Sequence, residues 1–268
     1  MSLNIIRPGL LTTIQDTGRY GYQKIGVIPS GAMDVYSLRL ANILVGNDET
    51  EGALEITLMG PTIEFTSDTL IAITGGDFGP VIDGQKVPMH RPVAVKAGAI
   101  LRFGPCVVGC RAYLAVAGGY DVPVVMGSKS TYLRAQFGGL EGRALRRGDL
   151  LNTKEPSEYG QQMMFNLLTR GAHSFTHARW SISKVHTTPE RLRKPIKVMA
   201  GLQYDEFTEK AKYDFFGTDF LITTQSDRMG YRLNGPKLEM KRPLEMISEV
   251  AGLGTIQVPP NGMPIILM

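Results

Sequence analysis

The chain has 268 residues, of which 43% are hydrophobic and 20% are charged, and its formal net charge at pH 7 is +4. This length suits one large domain or two modest ones with a sizeable core. Two cysteines are too few for a disulfide scaffold. The basic residues occur in short runs, whereas nucleic-acid binding proteins gather them on a stripe or an arm. We therefore expect neither a secreted disulfide-rich protein nor a nucleic-acid-binding protein.

The N-terminus and the hydropathy of the chain bear on its cellular location. Residues 1–9 lack the apolar run and the cleavage pattern of a signal peptide. Every apolar stretch is shorter than the roughly 18 residues that a membrane helix needs. We therefore expect a cytoplasmic protein that does not bind a membrane.

Most of the chain is predicted as short strands separated by Gly and Pro turns, a pattern typical of a barrel or a sandwich. The predicted strands are rich in Ile, Val, Leu and aromatic residues and cover 53–58, 62–65, 70–74, 93–96, 100–103 and 111–117. Asp83-Gly84 separates two short apolar runs and predicts a hairpin turn.

Two segments are predicted as helices. Asp34 is a suitable N-cap, and the apolar residues that follow it recur at helical spacing, which predicts a helix over 34–44. A second helix is predicted over 207–215. The stretch 152–189 is polar and without strong periodicity, which indicates a connection. We expect one β-rich unit at 1–155, a connecting segment at 156–189 and a second unit at 190–268.

General catalytic and metal-binding motifs are absent from the sequence. The segment Gly127-Ser128-Lys129-Ser130-Thr131 lacks the direct Gly-Lys-Ser/Thr succession of a P-loop, and Val122 stands where that motif needs Gly. The sequence contains neither a G-x-S-x-G elbow nor an H-E-x-x-H pair. Cys106 and Cys110 have no further Cys with which to complete a zinc site, so no metal is expected.

Three sets of loop segments instead combine glycine with polar residues and Arg, at 13–21 with 29–34, at 127–131 with 138–143, and at 225–232. Guanidinium groups bind planar carboxylate and amide groups well, which would suit a substrate site. Asp–Arg pairs can instead have a structural role, in which they stabilise the conformation of the loops that contain them. The spacing alone leaves the structural and the functional interpretation equally open.

These same segments, with others, carry a resemblance along nearly the whole chain. The chain resembles the family called 5-oxoprolinase C subunit, KipI antagonist or allophanate hydrolase subunit 2. The matching stretches are TTIQDTGRYGYQKIGVIPSGAMD (12–34), ANILVGNDETEGALEITLMGPTIEF (41–65), RAYLAVAGG (111–119), GSKSTYLRAQFGG (127–139), GRALRRGDLL (142–151), SDRMGYRLNG (226–235) and GTIQVPPNGMPIILM (254–268).

The resemblance implies a mainly β fold made of two cyclophilin-like β-barrel units with a few short helices. It implies a role in opening 5-oxoproline to glutamate, with ATP used at the level of a complex that also contains a KipI-like B subunit and a third component, the A subunit. One alternative is a carboxyltransferase component that acts on urea or a related amide and needs a separate biotin carrier. A further alternative is a non-enzymatic regulator that binds KipI.

The resemblance also suggests which residues to test, because amide opening needs donors for oxyanion charge and a cation for the substrate carboxylate. The arginines would supply these groups, and the aspartates would orient them or act as base. The residues predicted for catalysis are Asp16, Arg19, Asp227, Arg228 and Arg232. The residues predicted for substrate binding are Ser30, Gly31, Met33, Ser128, Thr131, Gly139 and Arg143.

One departure from the family concerns the C-terminus. The chain stops within the apolar run 264–268, where family members usually continue with further strands. We expect the second unit to be incomplete and to leave a hydrophobic sheet edge open.

Overall fold

The fold is mainly β, as predicted: among the described residues, strands and isolated β-bridges hold 31% and helices 15%. The computed structural model describes residues 1–171, 173–182, 195–243 and 251–268. Contacts group the chain into two compact units, Met1–Lys194 and Pro195–Met268. The predicted connection 156–189 contributes a helix and a strand to the first unit, and its residues 172 and 183–189 lie outside the described part.

The first unit is built on two sheets. Its strands are β1 (Ser2–Arg7), β2 (Leu11–Gln15), β3 (Ala53–Thr57), β4 (Thr62–Phe65), β5 (Thr69–Asp77), β6 (Val81–Ile82), β7 (Gln85–Lys86), β8 (Val93–Val95), β9 (Ile100–Arg102), β10 (Val108–Val116), β11 (Leu150–Asn152) and β12 (Phe175–His177). In the described residues, one sheet has the order β11-β1-β4-β9-β6-β7 and the other β12-β8-β5-β10-β3-β2. All six predicted strands are confirmed.

The sheet that contains β5, β8 and β10 is buried on both faces. Along β5, Ile71 and Ile73 pack into the cluster between the two sheets, while Leu70 and Ala72 pack on the opposite side. The same alternation continues along β8 and β10, as the period of two in a strand requires. Small residues such as Ala72 face outward, which allows helices to approach that face closely.

Two helices cover this outer face. The first, α1 (Val35–Leu44), confirms the predicted helix, and the Asp34 carboxylate accepts a hydrogen bond of 3.0 Å from Ser37 N as the N-cap. The second, α2 (Glu158–Leu168), was not predicted. Its buried residues are Gly160 and Leu167, which form too narrow an apolar stripe for the sequence pattern to reveal.

The predicted hairpin turn at Asp83-Gly84 is confirmed. Asp83 has φ of 49° and Gly84 has φ of 76°, so both central residues are left-handed, as the tight hairpin joining β6 to β7 requires. A short 3-10 helix, Gln23–Ile25, lies in the loop between β2 and α1.

The second unit contains a short 3-10 helix (Tyr204–Glu206), α3 (Glu209–Gly217) and a sheet in the order β13-β14-β16-β15. Its strands are β13 (Leu221–Ile222), β14 (Gly230–Asn234), β15 (Ile256–Gln257) and β16 (Ile265–Leu267). The helix predicted over 207–215 is present but starts two residues later, because the Thr208 hydroxyl caps it by accepting from Ala211 N at 3.1 Å. Strand pairings in the described residues form open sheets, so the barrel closure that the resemblance implies stays a prediction.

Among the described residues, each helix is too short or too polar to cross a lipid bilayer.

Gly75 lies where β5 and β10 change register, and we expect its replacement by Ala to destabilise the fold strongly. At φ of +81°, a Cβ on Gly75 would lie 2.6 Å from the backbone oxygen of Arg111. Gly98 has nearly the same φ, +82°, but open space around it. Gly98→Ala should cost about 1 to 2 kcal/mol through backbone strain alone, whereas Gly75→Ala should cost several kcal/mol more.

Urea unfolding of the two variants and the wild type measures this difference. Equal losses of unfolding free energy in the two variants would show that the close backbone contact at Gly75 has no energetic importance.

Candidate functional site

A buried carboxylate organises the first group of predicted site residues. Asp16 follows β2 directly and is 7% exposed. Its Oδ1 accepts from Gly18 N at 2.8 Å, from Ser128 Oγ at 2.7 Å and from Ser130 Oγ, while Lys129 N donates to Oδ2. We call these five residues the Asp16 hub. The hub ties the loop after β2 to the 127–131 loop, and it leaves the carboxylate surrounded by protein donors.

Arg19 is fully buried beside this hub. Its Nε donates to Val125 O at 2.9 Å, its Nη2 donates to Ser130 O at 2.8 Å, and its guanidinium lies 4.7 Å from the centre of the Phe137 ring. Nη1 has no hydrogen-bond partner within the described residues. Burial lowers the pKa of Arg19, and the charge of Asp16 partly opposes this effect. Arg19 therefore presents one unused donor inside the protein.

The glycines of the 127–143 segment are required by close packing. A Cβ on Gly139 would lie 2.0 Å from Thr131 Oγ1, and a Cβ on Gly138 would lie 2.1 Å from Ser130 O. The Thr131 hydroxyl donates to Ile14 O at 2.9 Å. Three residues predicted for substrate binding, Ser128, Thr131 and Gly139, are thus packed against protein atoms.

The loop that carries Ser30, Gly31 and Met33 lies on the loop after β2. A Cβ on Gly31 would lie 2.9 Å from Gly18 Cα, and Arg19 N donates to Pro29 O at 2.6 Å. Ser30 is left-handed, with φ of 55°, and its buried hydroxyl has no hydrogen-bond partner among the residues described. The structure therefore brings Ser30 and Gly31 next to Asp16 and Arg19, as a common site requires.

Glu55 is a residue that the sequence analysis missed. It lies in β3, is 1% exposed, and accepts hydrogen bonds from Tyr113 Oη and Met33 N, both at 2.8 Å. Arg111 Nε lies 3.4 Å from its other carboxylate oxygen. Burial raises the pKa of Tyr113, whose hydroxyl also accepts from Asp34 N at 2.7 Å. An acidic residue within the apolar strand Ala53–Thr57 was the available signal, because buried carboxylates need partners.

Arg143 forms ion pairs with two carboxylates that are close to it in sequence. It binds Asp149 through two parallel hydrogen bonds of 2.7 and 3.0 Å, and it binds Glu141 at 2.7 Å. The hydrogen bonds that Arg143 donates to Asp149 are the main reason that the pKa of Arg143 is raised. This guanidinium has little remaining capacity for a substrate.

The remaining predicted residues lie in the second unit. Asp227 Oδ1 accepts from Met229 N at 2.8 Å and from Gly230 N at 3.3 Å, which stabilises the turn before β14. Burial lowers the pKa of Arg228 to about 10. Arg232 is exposed on β14. These three residues are close together in sequence and belong to a different unit from Asp16.

Within the described ranges, no group of three or more His, Cys, Asp and Glu side chains has an arrangement suited to a metal ion.

Replacing Asp16 by Asn should destabilise the first unit. The amide NH₂ must stand in place of either Oδ1 or Oδ2, where it faces a backbone N–H donor of Gly18 or Lys129. A buried donor left without an acceptor costs about 1 to 3 kcal/mol. Asp121, whose side chain is exposed, provides the matched control.

Urea unfolding of Asp16→Asn and Asp121→Asn tests this expectation. We expect Asp121→Asn to match the wild type, and equal stability of all three proteins would contradict a structural role for the hub.

The Arg143–Asp149 pair should make stability depend on pH. Burial acts to raise the pKa of Asp149, but hydrogen bonds from Arg143 and from Arg146 N outweigh it, so this pKa is lowered. A carboxylate with a lowered folded pKa stabilises at neutral pH and loses this contribution as the pH falls through that value. Asp149→Asn should therefore lose less unfolding free energy than the wild type between pH 6 and acid pH. An identical pH dependence of both proteins, measured by urea unfolding, would exclude this contribution.

Comparisons with known proteins agree with this architecture. Residues 25–268 match the family model described as carboxyltransferase domain, subdomain A and B. The crystal structure of the Kluyveromyces lactis urea carboxylase matches with a TM-score of 0.77 and 33% identity, over 99% of this chain and 24% of that chain. This chain therefore spans about a quarter of the urea carboxylase.

Two bacterial relatives match over most of their length. The chain is 38% identical to the 5-oxoprolinase C subunit of Haemophilus influenzae over 256 residues, which cover 96% of this chain and 76% of the relative. It is 39% identical to the 5-oxoprolinase C subunit of Escherichia coli over 266 residues, which cover 99% and 79%. The chain belongs to the family of the carboxyltransferase domain, subdomain A and B, and to its 5-oxoprolinase C-subunit members.

Proposed function

We propose that this chain acts as the C subunit of an ATP-dependent 5-oxoprolinase complex, which opens 5-oxoproline to glutamate with a KipI-like B subunit and an A subunit. The observation that carries this proposal is the extent of the match. The two 5-oxoprolinase C-subunit relatives align along 76% and 79% of their length. The urea carboxylase aligns along 24% of its length, because it contains much besides this region.

The reaction sets clear chemical demands. The lactam of 5-oxoproline is an unactivated amide, and phosphorylation of its oxygen by ATP would make the carbonyl carbon electrophilic. Opening then requires hydrogen-bond donors at the developing oxyanion and a cation that binds the substrate carboxylate.

The 127–131 loop does not suit a nucleotide. Lys129 Nζ binds the Glu51 carboxylate and donates to Tyr120 O at 2.9 Å, so its charge is neutralised within the protein. Ser128 Oγ donates to Asp16. We therefore assign ATP to the complex as a whole and not to this loop.

The candidate residues differ in the roles that their contacts favour. Asp16 holds the loops together and Arg19 lies between them, so we assign both to positioning the Ser30–Gly31 backbone. Arg228 is our candidate for binding the substrate carboxylate, because a partly desolvated guanidinium interacts more strongly with an anion than an exposed one. Asp227 positions Arg228 by fixing the turn, and Arg232 supplies a second cation on β14.

A carboxyltransferase acting on urea or a related amide is the second candidate. The match to the Kluyveromyces lactis urea carboxylase over 99% of this chain favours it. This alternative needs a biotin carrier outside these 268 residues, because they contain no Met-Lys-Met carrier signature and Met240-Lys241-Arg242 is the most similar stretch. Lys241 Nζ moreover donates to Asp205 O at 2.9 Å, as a structural lysine does.

Reconstitution tests the proposal directly. We would mix this chain with its KipI-like B subunit and the A subunit, then follow glutamate release from 5-oxoproline with and without ATP. We expect release that requires both ATP and this chain. Release that is unchanged when this chain is omitted would contradict the proposal.

A stable complex without turnover would favour a regulator that binds KipI. Adding carboxybiotin carrier and urea to the same complex would reveal the carboxyltransferase alternative through carboxylation of urea.

Arg228→Lys should lower kcat/KM for 5-oxoproline by about tenfold in the assembled complex, because Lys cannot make the planar two-point contact with a carboxylate. Arg242→Lys is the matched control, since Arg242 lies in the same unit with its side chain 72% exposed. Wild-type kinetics in Arg228→Lys would exclude this role.

A further inference from the structure

A cavity lies at the seam between the two sheets of the first unit. The edge strand β7 of one sheet and the edge strand β12 of the other approach each other there, and Ser174 Oγ donates to the Asp83 carboxylate across the seam. The cavity has a volume of about 390 Å³. We call it the seam pocket; its lining includes Lys86, Arg170, His173, Phe175, His177 and Arg179.

The seam pocket carries a surplus of positive charge. Lys86, Arg170 and Arg179 are permanent cations, two imidazoles lie beside them, and none of the described residues that line the pocket is Asp or Glu. Asp77 lies 3.5 Å from Lys86 Nζ, in an exposed and therefore weak ion pair. Asp83 lines the neighbouring smaller cavity and accepts from Ser174. A concave surface with this charge concentrates anions.

The main chain of β12 adds hydrogen-bond donors. Lys96 N donates to Ser174 O at 2.9 Å, and Ala178 N donates to Pro92 O at 3.0 Å, so these residues direct their peptide groups toward β8. Because peptide groups alternate along an antiparallel strand, Phe175 and His177 direct theirs away from β8, on the side of β12 where the described residues form no further strand. Both residues line the seam pocket.

We propose that the seam pocket binds a phosphoryl group, either as inorganic phosphate or as part of a nucleotide. A phosphoryl group offers several oxygens and up to two negative charges, which match three cations and the outward N–H groups of Phe175 and His177. A single planar carboxylate would use one guanidinium and leave the other cations unpaired. This site shares no residue with the Asp16 hub or with the Arg228 turn, and it does not depend on the proposed function.

Titration of the full chain with inorganic phosphate, followed by ¹H–¹⁵N NMR at constant ionic strength, tests the proposal. We expect saturable shifts of the Phe175 and His177 amide resonances. Arg170→Gln and Arg179→Gln should each raise the dissociation constant by about tenfold. Arg147→Gln, at an exposed position elsewhere in the first unit, should leave it unchanged.

A second titration with ATP separates the two sources of the phosphoryl group. Tighter binding of ATP than of phosphate, with the same amides affected, identifies a nucleotide site, and the reverse order identifies a site for free phosphate. Equal shifts with sodium chloride, shifts at other amides, or unchanged affinity in Arg170→Gln and Arg179→Gln would overturn the proposal.

Discussion

The burial of the Asp16 carboxylate is the constraint on which the candidate site depends. A carboxylate removed from water is tolerated when donors surround it, and here these donors come from the loop after β2 and from the 127–131 loop. The two loops must therefore meet, and Gly138 and Gly139 are needed because a Cβ at either position would collide with the second loop. Arg19 is buried by the same arrangement, which leaves Nη1 without a partner in the described chain.

Two basic regions of the first unit show how context decides whether a cation is available. Lys129 lies in a loop that resembles a phosphate-binding loop in composition, yet Glu51 and a backbone oxygen neutralise and bind its ammonium group. The cations of the seam pocket share their cavity with imidazoles and an aromatic ring, and no carboxylate from the described chain lines it. Basic residues thus have a structural role in the 127–131 loop, whereas they form a positively charged surface in the seam pocket.

The same distinction separates the predicted site residues. Asp16, Ser128 and Thr131 direct their polar atoms to protein partners, which makes them structural supports for the neighbouring backbone. Arg228 and Arg232 belong instead to a turn and a strand of the second unit. This division fits a chain that works as one component of a multi-subunit complex.

The sequence by itself determined six strands of the first unit, helix α1 and the Asp83-Gly84 turn, because local periodicity, capping and turn chemistry act over a few residues. It also determined the family, through long matching stretches. The tertiary structure alone decided that Asp16 is enclosed by residues more than a hundred positions away. It likewise decided that Glu55 is buried beneath Met33 and that the edges of two sheets form the seam pocket. Such contacts arise from the packing of distant segments, which neither spacing nor residue type encodes locally.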